Sequence, residues 1–416
     1  MPTSNDRGLS RRSVLGLIGA AGAAGAVGVA GAVAIAGGDD SDSAQSMVEF
    51  NGAHQAGITT AAQEHLYFAS YDLTSTADRE DIKELLAEWT EAAARLTKGQ
   101  EVTAEGATGG GPHKPPDDTG EALGLGPNNL TITFGFGPGL FDDRFGLAAK
   151  RPAELAELPS FAFDLLEDRY SGGDLCIQAC ADDPQVAVHA IRNLTRIAFG
   201  RAQIRWAQLG YGRTSTTDKS QETPRNLFGF KDGTANIFND EKEDLAKWVW
   251  ADGANQPWMA GGSFLVARKI MMLIESWDRV RLSEQQAIFG RDKGEGAPLS
   301  GGTEFTEPDF EMASTELGGP VISLTSHVRL AHPDANAGKR ILRRGYNFVE
   351  GNNNLGQISG GLFFLSFQRS PQQFIDVQKS LAADALNEYI RHVGSAIFAV
   401  PPGVKPGESI GAGLFS

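Results

Sequence analysis

Apolar residues recur with two different periods along the chain, and the switches between them mark out the elements. The run His65-Leu-Tyr-Phe-Ala-Ser-Tyr-Asp72 has strand character. Asp78 then reads as an N-cap, and Ile82, Leu85, Leu86, Trp89, Ala93 and Leu96 recur at helical spacing until Gly99. Residues 99–129 are rich in Gly, Pro and charge and are expected to form a long loop. Strands are expected over 130–135, 175–180 and 204–209. Between the last two, Val188, Ile191, Leu194 and Ala198 lie on one face of a helix.

The second half repeats this order. Residues 263–275 read as a strand pair or one long strand, followed by a helix over 276–289. A strand over 361–368, a helical stretch opened by Pro371 and a closing strand over 395–400 complete it. A β-α-β pattern appearing twice predicts an α+β fold, with antiparallel sheets covered by helices on their outer faces. The expected architecture is a duplicated pair of ferredoxin-like domains, residues 54–225 and 226–416, after a lead-in at 37–53.

Composition narrows the function. A formal net charge of −15 argues against nucleic acid, whose phosphates require clustered Lys and Arg. The only cysteines, Cys176 and Cys180, lie four apart in an expected strand, a separation of roughly 13 Å. That is too far for a disulfide, so both read as small buried hydrophobes. No Cys-x-x-Cys-His run is present for covalent haem attachment.

Residues 1–36 look like an address. Arg11 and Arg12 precede an Ala/Gly/Val/Ile stretch without a charge up to Asp39, which resembles a twin-arginine signal with a small-residue cleavage site at Ala34-Ile35-Ala36. The alternative is an uncleaved membrane anchor, although so much Ala and Gly makes a poor stop-transfer segment. Export of this kind carries folded proteins, often with a cofactor already loaded. The expected location is secreted, periplasmic or envelope-associated, with the twin-arginine translocase as a partner.

Three segments could carry chemistry. In Asn226-Leu-Phe-Gly-Phe-Lys-Asp-Gly-Thr-Ala-Asn236, Gly229 and Gly233 flank Asp232 and free the backbone to turn on both sides of a carboxylate. The plain alternative is an ordinary Asx turn. His327 and His332 follow in Thr325-Ser-His-Val-Arg-Leu-Ala-His-Pro-Asp334, and then comes Arg343. A histidine in an apolar stretch is often just a core residue, but neutral imidazole is also the usual proximal ligand of peroxidase haem.

Taken in order, these segments resemble the dye-decolourising (DyP-type) haem peroxidase family. Gly229-x-x-Asp232-Gly233 is similar to its distal motif, His327 to its proximal histidine, and Arg343, 16 residues later, to its distal arginine. The resemblance extends over most of residues 50–405, including Gln55 to Thr60, Gly172 to Leu175 and Leu386 to Ile390. With the signal and the Arg343-Arg344-Gly345 run, it points to the exported, deferrochelatase-like branch. It implies haem b held non-covalently, with His327 on the iron and Gly233, Thr234, Ala235, His332, Pro333, Asp334 and Arg343 around the cofactor. It further implies Asp232 as distal acid–base and Arg343 as charge stabiliser. Glu388 is the candidate proximal hydrogen-bond partner of His327, against the alternative of a solvated helix position. The chain departs from the family pattern at His332, a rival ligand. Pro333 stiffens the turn beside it, and the Ser326-His327-Val328 context favours His327.

The implied partners are hydrogen peroxide and small reducing substrates, and family members often form homo-oligomers. Three rival functions remain: a deferrochelatase that removes iron from haem and leaves the porphyrin intact, a non-enzymatic haem carrier, and a cofactor-free binding module.

Overall fold

Strand β1 (His65–Leu73) leads into helix α1 (Arg79–Leu96) through a capping box. Asp78 accepts from the backbone N–H of Glu80 and Asp81, and the Asp81 carboxylate accepts from the N–H of Asp78. All six apolar positions of the helical pattern are buried. No helix or strand interrupts residues 99–129, as their composition implies. Strands β2 (Thr131–Phe136) and β3 (Leu175–Ala181) follow, then α2 (Pro184–Ile197), capped by Asp183, and β4 (Ala202–Arg213). The buried face of α2 is Val186, Ala187, Ala190, Ile191 and Leu194; Val188 falls at its margin and is half-buried. The structure, a computed structural model, describes residues 46–314 and 318–416. The signal assigned to residues 1–36 and the lead-in up to residue 45 lie outside the described residues.

The second half holds α3 (Lys242–Trp248), β5 (Ser263–Met272), α4 (Ile274–Trp277), α5 (Leu282–Phe289) and α6 (His327–Ala331). It continues with β6 (Leu342–Arg343), β7 (Tyr346–Asn352), β8 (Ile358–Gln368), α7 (Pro371–Ser380) and β9 (Ile390–Val400). Residues 263–272 form one strand rather than a pair. The single helix expected over 276–289 is broken between α4 and α5. The Gln285 side chain donates to the carbonyls of Trp277 and Val280 there, both at 3.1 Å, and satisfies groups that a continuous helix would have bonded itself.

All strand pairs are antiparallel, and both halves use the same order. The hydrogen-bonded sequence is β4-β1-β3-β2 in the first and β9-β5-β8-β7 in the second. The two sheets do not stay separate. β2 meets β9 at Phe136 and Ala399, and β4 meets β7 at Tyr211–Asn347 and Arg213–Tyr346. These short seams close eight strands into a barrel, with β6 added beside β8. Closure removes the exposed edges that open sheets carry.

Alternate residues of the strands fill the barrel. Phe68 packs on Trp206 with ring centroids 5.2 Å apart and on Phe363 at 5.4 Å, with Leu265, Phe367 and Phe398 in the same cluster. Each such side chain contributes about 1.5–3 kcal/mol by leaving water. Cys176 and Cys180 belong to this interior as free thiols, and burial pushes both pKa values up. A second cluster lies under α1 and α2 and includes Phe50, Val404, Ile410 and Leu414. A third gathers Phe228, Phe230, Trp277, Phe289 and Tyr389 beside the second half, and it supports the candidate chemistry.

Candidate active site

The segment around Asp232 is a tight, internally bonded turn. Asn226 accepts from Phe228 N–H through its side chain at 3.0 Å and from Gly229 N–H through its carbonyl at 2.9 Å. Arg225 clamps the turn from outside, donating to the carbonyls of Gly229, Lys293 and Gly294 at 2.6–2.8 Å. Gly233 has φ +91°, and a Cβ there would stand 2.7 Å from Ser215 Cα, so only glycine fits. The result aims the Asp232 carboxylate at β6. Arg343 Nη1 donates to Asp232 Oδ1 at 2.7 Å, and Asn226 Nδ2 donates to Oδ2 at 3.3 Å.

Arg343 is fixed through its backbone. Its N–H donates to Asn236 Oδ1 at 2.7 Å, and its carbonyl accepts from Asn236 Nδ2 at 2.8 Å and Ser215 Oγ at 3.0 Å. Beside the pair, Glu304 accepts from Lys231 at 2.5 Å and Thr234 Oγ1 at 3.1 Å. Gly233 is buried, Thr234 is half-buried and Ala235 is exposed.

His327 opens α6, after the buried Ser326 at its N-cap. Its Nδ1 is 2.6 Å from Asp384 Oδ2, and Asp384 is buried, with Oδ1 accepting from Leu386 N–H at 2.8 Å. Burial resists charging of the imidazole, but the charge and hydrogen bond of Asp384 outweigh it, so the pKa lies above the ordinary histidine value. Asp232 also favours the imidazolium and Arg343 opposes it, which brings both groups within electrostatic reach of His327. The ring meets Phe289 edge-on at 6.1 Å, and Phe289 stacks on Phe230 at 4.1 Å. Phe230 immediately precedes Lys231 and Asp232, so one aromatic stack supports both parts of the site.

The carboxylate expected at Glu388 is Asp384 instead. Glu388 is exposed, and Asp384, four residues earlier, caps the turn at 385–388 from the buried side. Sequence reasoning reached the right segment but missed Asp384, which has the cap signature of an acid followed by a short turn. Asn236 was missed as well. His332 does not compete with His327: its Nε2 is 2.8 Å from Glu307, and its Nδ1 accepts from Asp334 N–H at 3.2 Å. Pro333 is half-buried and Asp334 exposed.

This donor set fits a haem. With Nδ1 held by a carboxylate, the imidazole presents Nε2 as a lone-pair donor, and Nε2 has no protein partner among the described residues. One third of the His327 side chain is solvent-exposed. A fixed guanidinium–carboxylate pair close by suits an enzyme that moves protons on a small oxidant.

Comparison with known proteins agrees. The sequence family described as Dyp-type peroxidase, N-terminal, matches residues 55–212, and Dyp-type peroxidase, C-terminal, matches residues 223–405. The chain belongs to the Dyp-type peroxidase family, and it is a haem-binding peroxidase enzyme. It is similar to the deferrochelatase of Escherichia coli K12, with 38% identity over 95% of this chain and 94% of that protein. Among solved structures it is similar to DtpA from Streptomyces lividans, with TM-score 0.82, 37% identity and coverage of 90% and 99% of the two chains. A DyP-type peroxidase from Cellulomonas bogoriensis gives TM-score 0.80 at 38% identity, covering 89% and 98%.

Proposed function

We propose that this protein uses hydrogen peroxide to oxidise small one-electron donors, with haem b held non-covalently by His327. Bound haem supplies the redox chemistry. The chain's own groups supply the rest. Asp384 keeps the His327 ring oriented with Nε2 available. Asp232 takes a proton from one oxygen of hydrogen peroxide and returns it to the other, which becomes water. Arg343 sets a permanent positive charge beside the separating oxygens, where negative charge grows. Gly233, Thr234 and Ala235 line the cofactor's edge. The observation that carries this reading is the 2.7 Å contact between Arg343 and Asp232, set within electrostatic reach of a carboxylate-held imidazole. A haem carrier needs His327 but has no use for that pair.

The reading extends to the whole chain. The repeated strand order supports two ferredoxin-like domains, 54–225 and 226–416. The paired arginines support export through the twin-arginine translocase to the periplasm, envelope or exterior. A second reading, iron release from haem with the porphyrin intact, is favoured by the relatives named deferrochelatase at 38% identity.

One experiment separates these. Haem-loaded protein is given one equivalent of peroxide and followed by absorption, with Asp232→Ala alongside, and the porphyrin products are then analysed by mass. A fast spectral change that the variant slows strongly supports the peroxidase. Equal rates in both proteins would sink Asp232 as the acid–base. Metal-free protoporphyrin as the main product would favour iron release.

A further inference from the structure

Residues 304–311 form a short strap that touches both sides of the candidate site. At one end Glu304 is buried and accepts from Lys231 at 2.5 Å and from Thr234 Oγ1 at 3.1 Å, on either side of Asp232 and Gly233 in the chain. Burial resists its charge, but hydrogen bonds from Lys231, Thr223 and Thr234 outweigh that and hold the carboxyl below its ordinary value. Arg291 steadies the same end by donating to the Glu304 carbonyl at 2.8 Å.

At the other end the partners lie on the segment that His327 opens. Glu307 Oε1 is 2.8 Å from His332 Nε2. Arg329 Nη1 donates to the Phe310 carbonyl at 2.6 Å, and its Nη2 donates to Glu311 Oε1 at 3.2 Å. The Phe310 ring meets His332 edge-on at 5.0 Å and lies 5.4 Å from the Arg329 guanidinium.

Little else holds the strap. Among the described residues, no backbone–backbone hydrogen bond joins 304–311 to either side of the site. The side chains of Glu307 and Glu311 are 80% and 89% exposed, so water competes for both ion pairs. The buried carboxylate is a fixed end, and the two exposed ones are an end that can let go.

We infer that residues 304–311 act as a clasp on the haem, and that the Glu307 and Glu311 contacts set how fast the cofactor enters and leaves. The inference rests on the haem reading of His327 and deepens it. Glu304 is anchored on the segment that carries Asp232, and Glu307 and Glu311 on the segment that carries His327. One short stretch of chain thus ties together the two sides between which the cofactor is held, and it can open at one side without disturbing the other.

The test is transfer of haem from the loaded ferric protein to excess apomyoglobin, followed by absorption. Glu307→Ala and Glu311→Ala alter exposed side chains, so both fold. Glu80→Ala, which removes an exposed pair with Lys83 in α1, is the control. Each strap variant is expected to lose haem about threefold faster and the double variant about tenfold faster, the scale of one and of two exposed ion pairs. Raised salt should speed loss from the parent and change the double variant much less. The melting temperature of the haem-free protein should be the same in the parent and the double variant. Haem loss at the parent rate in the double variant, equal acceleration in Glu80→Ala, or a parent rate indifferent to salt would overturn the clasp. Haem uptake is measured alongside in the parent and in His327→Ala. Uptake that needs His327, with release unaltered by the strap variants, removes the clasp alone, whereas uptake equal in the two proteins removes the haem reading itself.

Discussion

Asn236 grips Arg343 at both of its backbone polar groups, accepting its N–H at 2.7 Å and donating to its carbonyl at 2.8 Å. Asn236 lies four residues beyond Asp232, so the loop that carries the carboxylate also fixes its guanidinium partner. Replacing Asn236 with Ala takes the bond from the Arg343 N–H and from the Thr216 carbonyl, leaves the Arg343 carbonyl only Ser215 Oγ, and frees β6 to shift. The cost should be about 1–3 kcal/mol in stability, read from urea unfolding. Peroxidase kcat/KM should fall roughly tenfold or more, because small misplacements of catalytic groups are expensive. Unchanged kinetics in Asn236→Ala would mean that Arg343 needs no such support.

Asp232→Asn and Arg343→Leu should each slow the reaction with peroxide by about 10²–10⁴-fold, the usual worth of a positioned acid–base or charge-stabilising group. The double variant should be little slower than the worse single one, because the pair acts as a unit. Stopped-flow rates in all three decide this. Strictly multiplicative losses would show that the two side chains work independently.

Asp384→Asn and Glu388→Gln separate the two carboxylates of one turn. In haem-free protein the raised pKa of His327 gives a stabilising contribution that is complete below the ordinary imidazole range. It is lost as pH rises through the folded value. Asp384→Asn removes the main cause, so its stability should fall less between mildly acid and mildly alkaline pH than that of the parent. Glu388→Gln should follow the parent curve. Urea midpoints across pH, with NMR titration of the imidazole, provide the check.

His392 sets an acid limit. It is buried in β9, its Nδ1 has no partner among the described residues, and burial followed by the nearby Arg268 charge lowers its pKa to about 3. In the unfolded chain it titrates near the ordinary value, so the unfolded state gains a proton first as pH falls. Stability should therefore drop from about pH 6.5 down to about pH 3, by on the order of 5 kcal/mol in full. His392→Leu should flatten that part of the pH–stability curve. An equally steep acid loss in the variant would assign it to other groups.

Much of this was legible in the sequence because local chemistry agreed with the fold. The capping box at Asp78 and the apolar stripe of α1 need no distant partner to form. Asp232, His327 and Arg343 could be nominated because their order along the chain resembles that of a known family, and the structure joins two of them, Arg343 and Asp232, at 2.7 Å. Other features depend on contacts remote in sequence. Barrel closure rests on a few pairings between residues over a hundred positions apart, such as Tyr211 with Asn347, and no local pattern announces them. Asp384 and Glu388 are two acids in one turn, and only the direction in which the backbone turns decides which is buried. The break between α4 and α5 depends on Gln285, a polar residue that periodicity treats as neutral.

The cluster under α1 and α2 draws in Val404, Ile410 and Leu414, and Ile410 N–H donates to Thr90 Oγ1 of α1 at 3.0 Å. A ribosome making this chain releases α1 some three hundred residues before the segment that seals it. The first half must then wait, incompletely covered, until translation has passed the whole of the second. Shortening the chain by that segment would expose an oily surface on the half farthest from the cut.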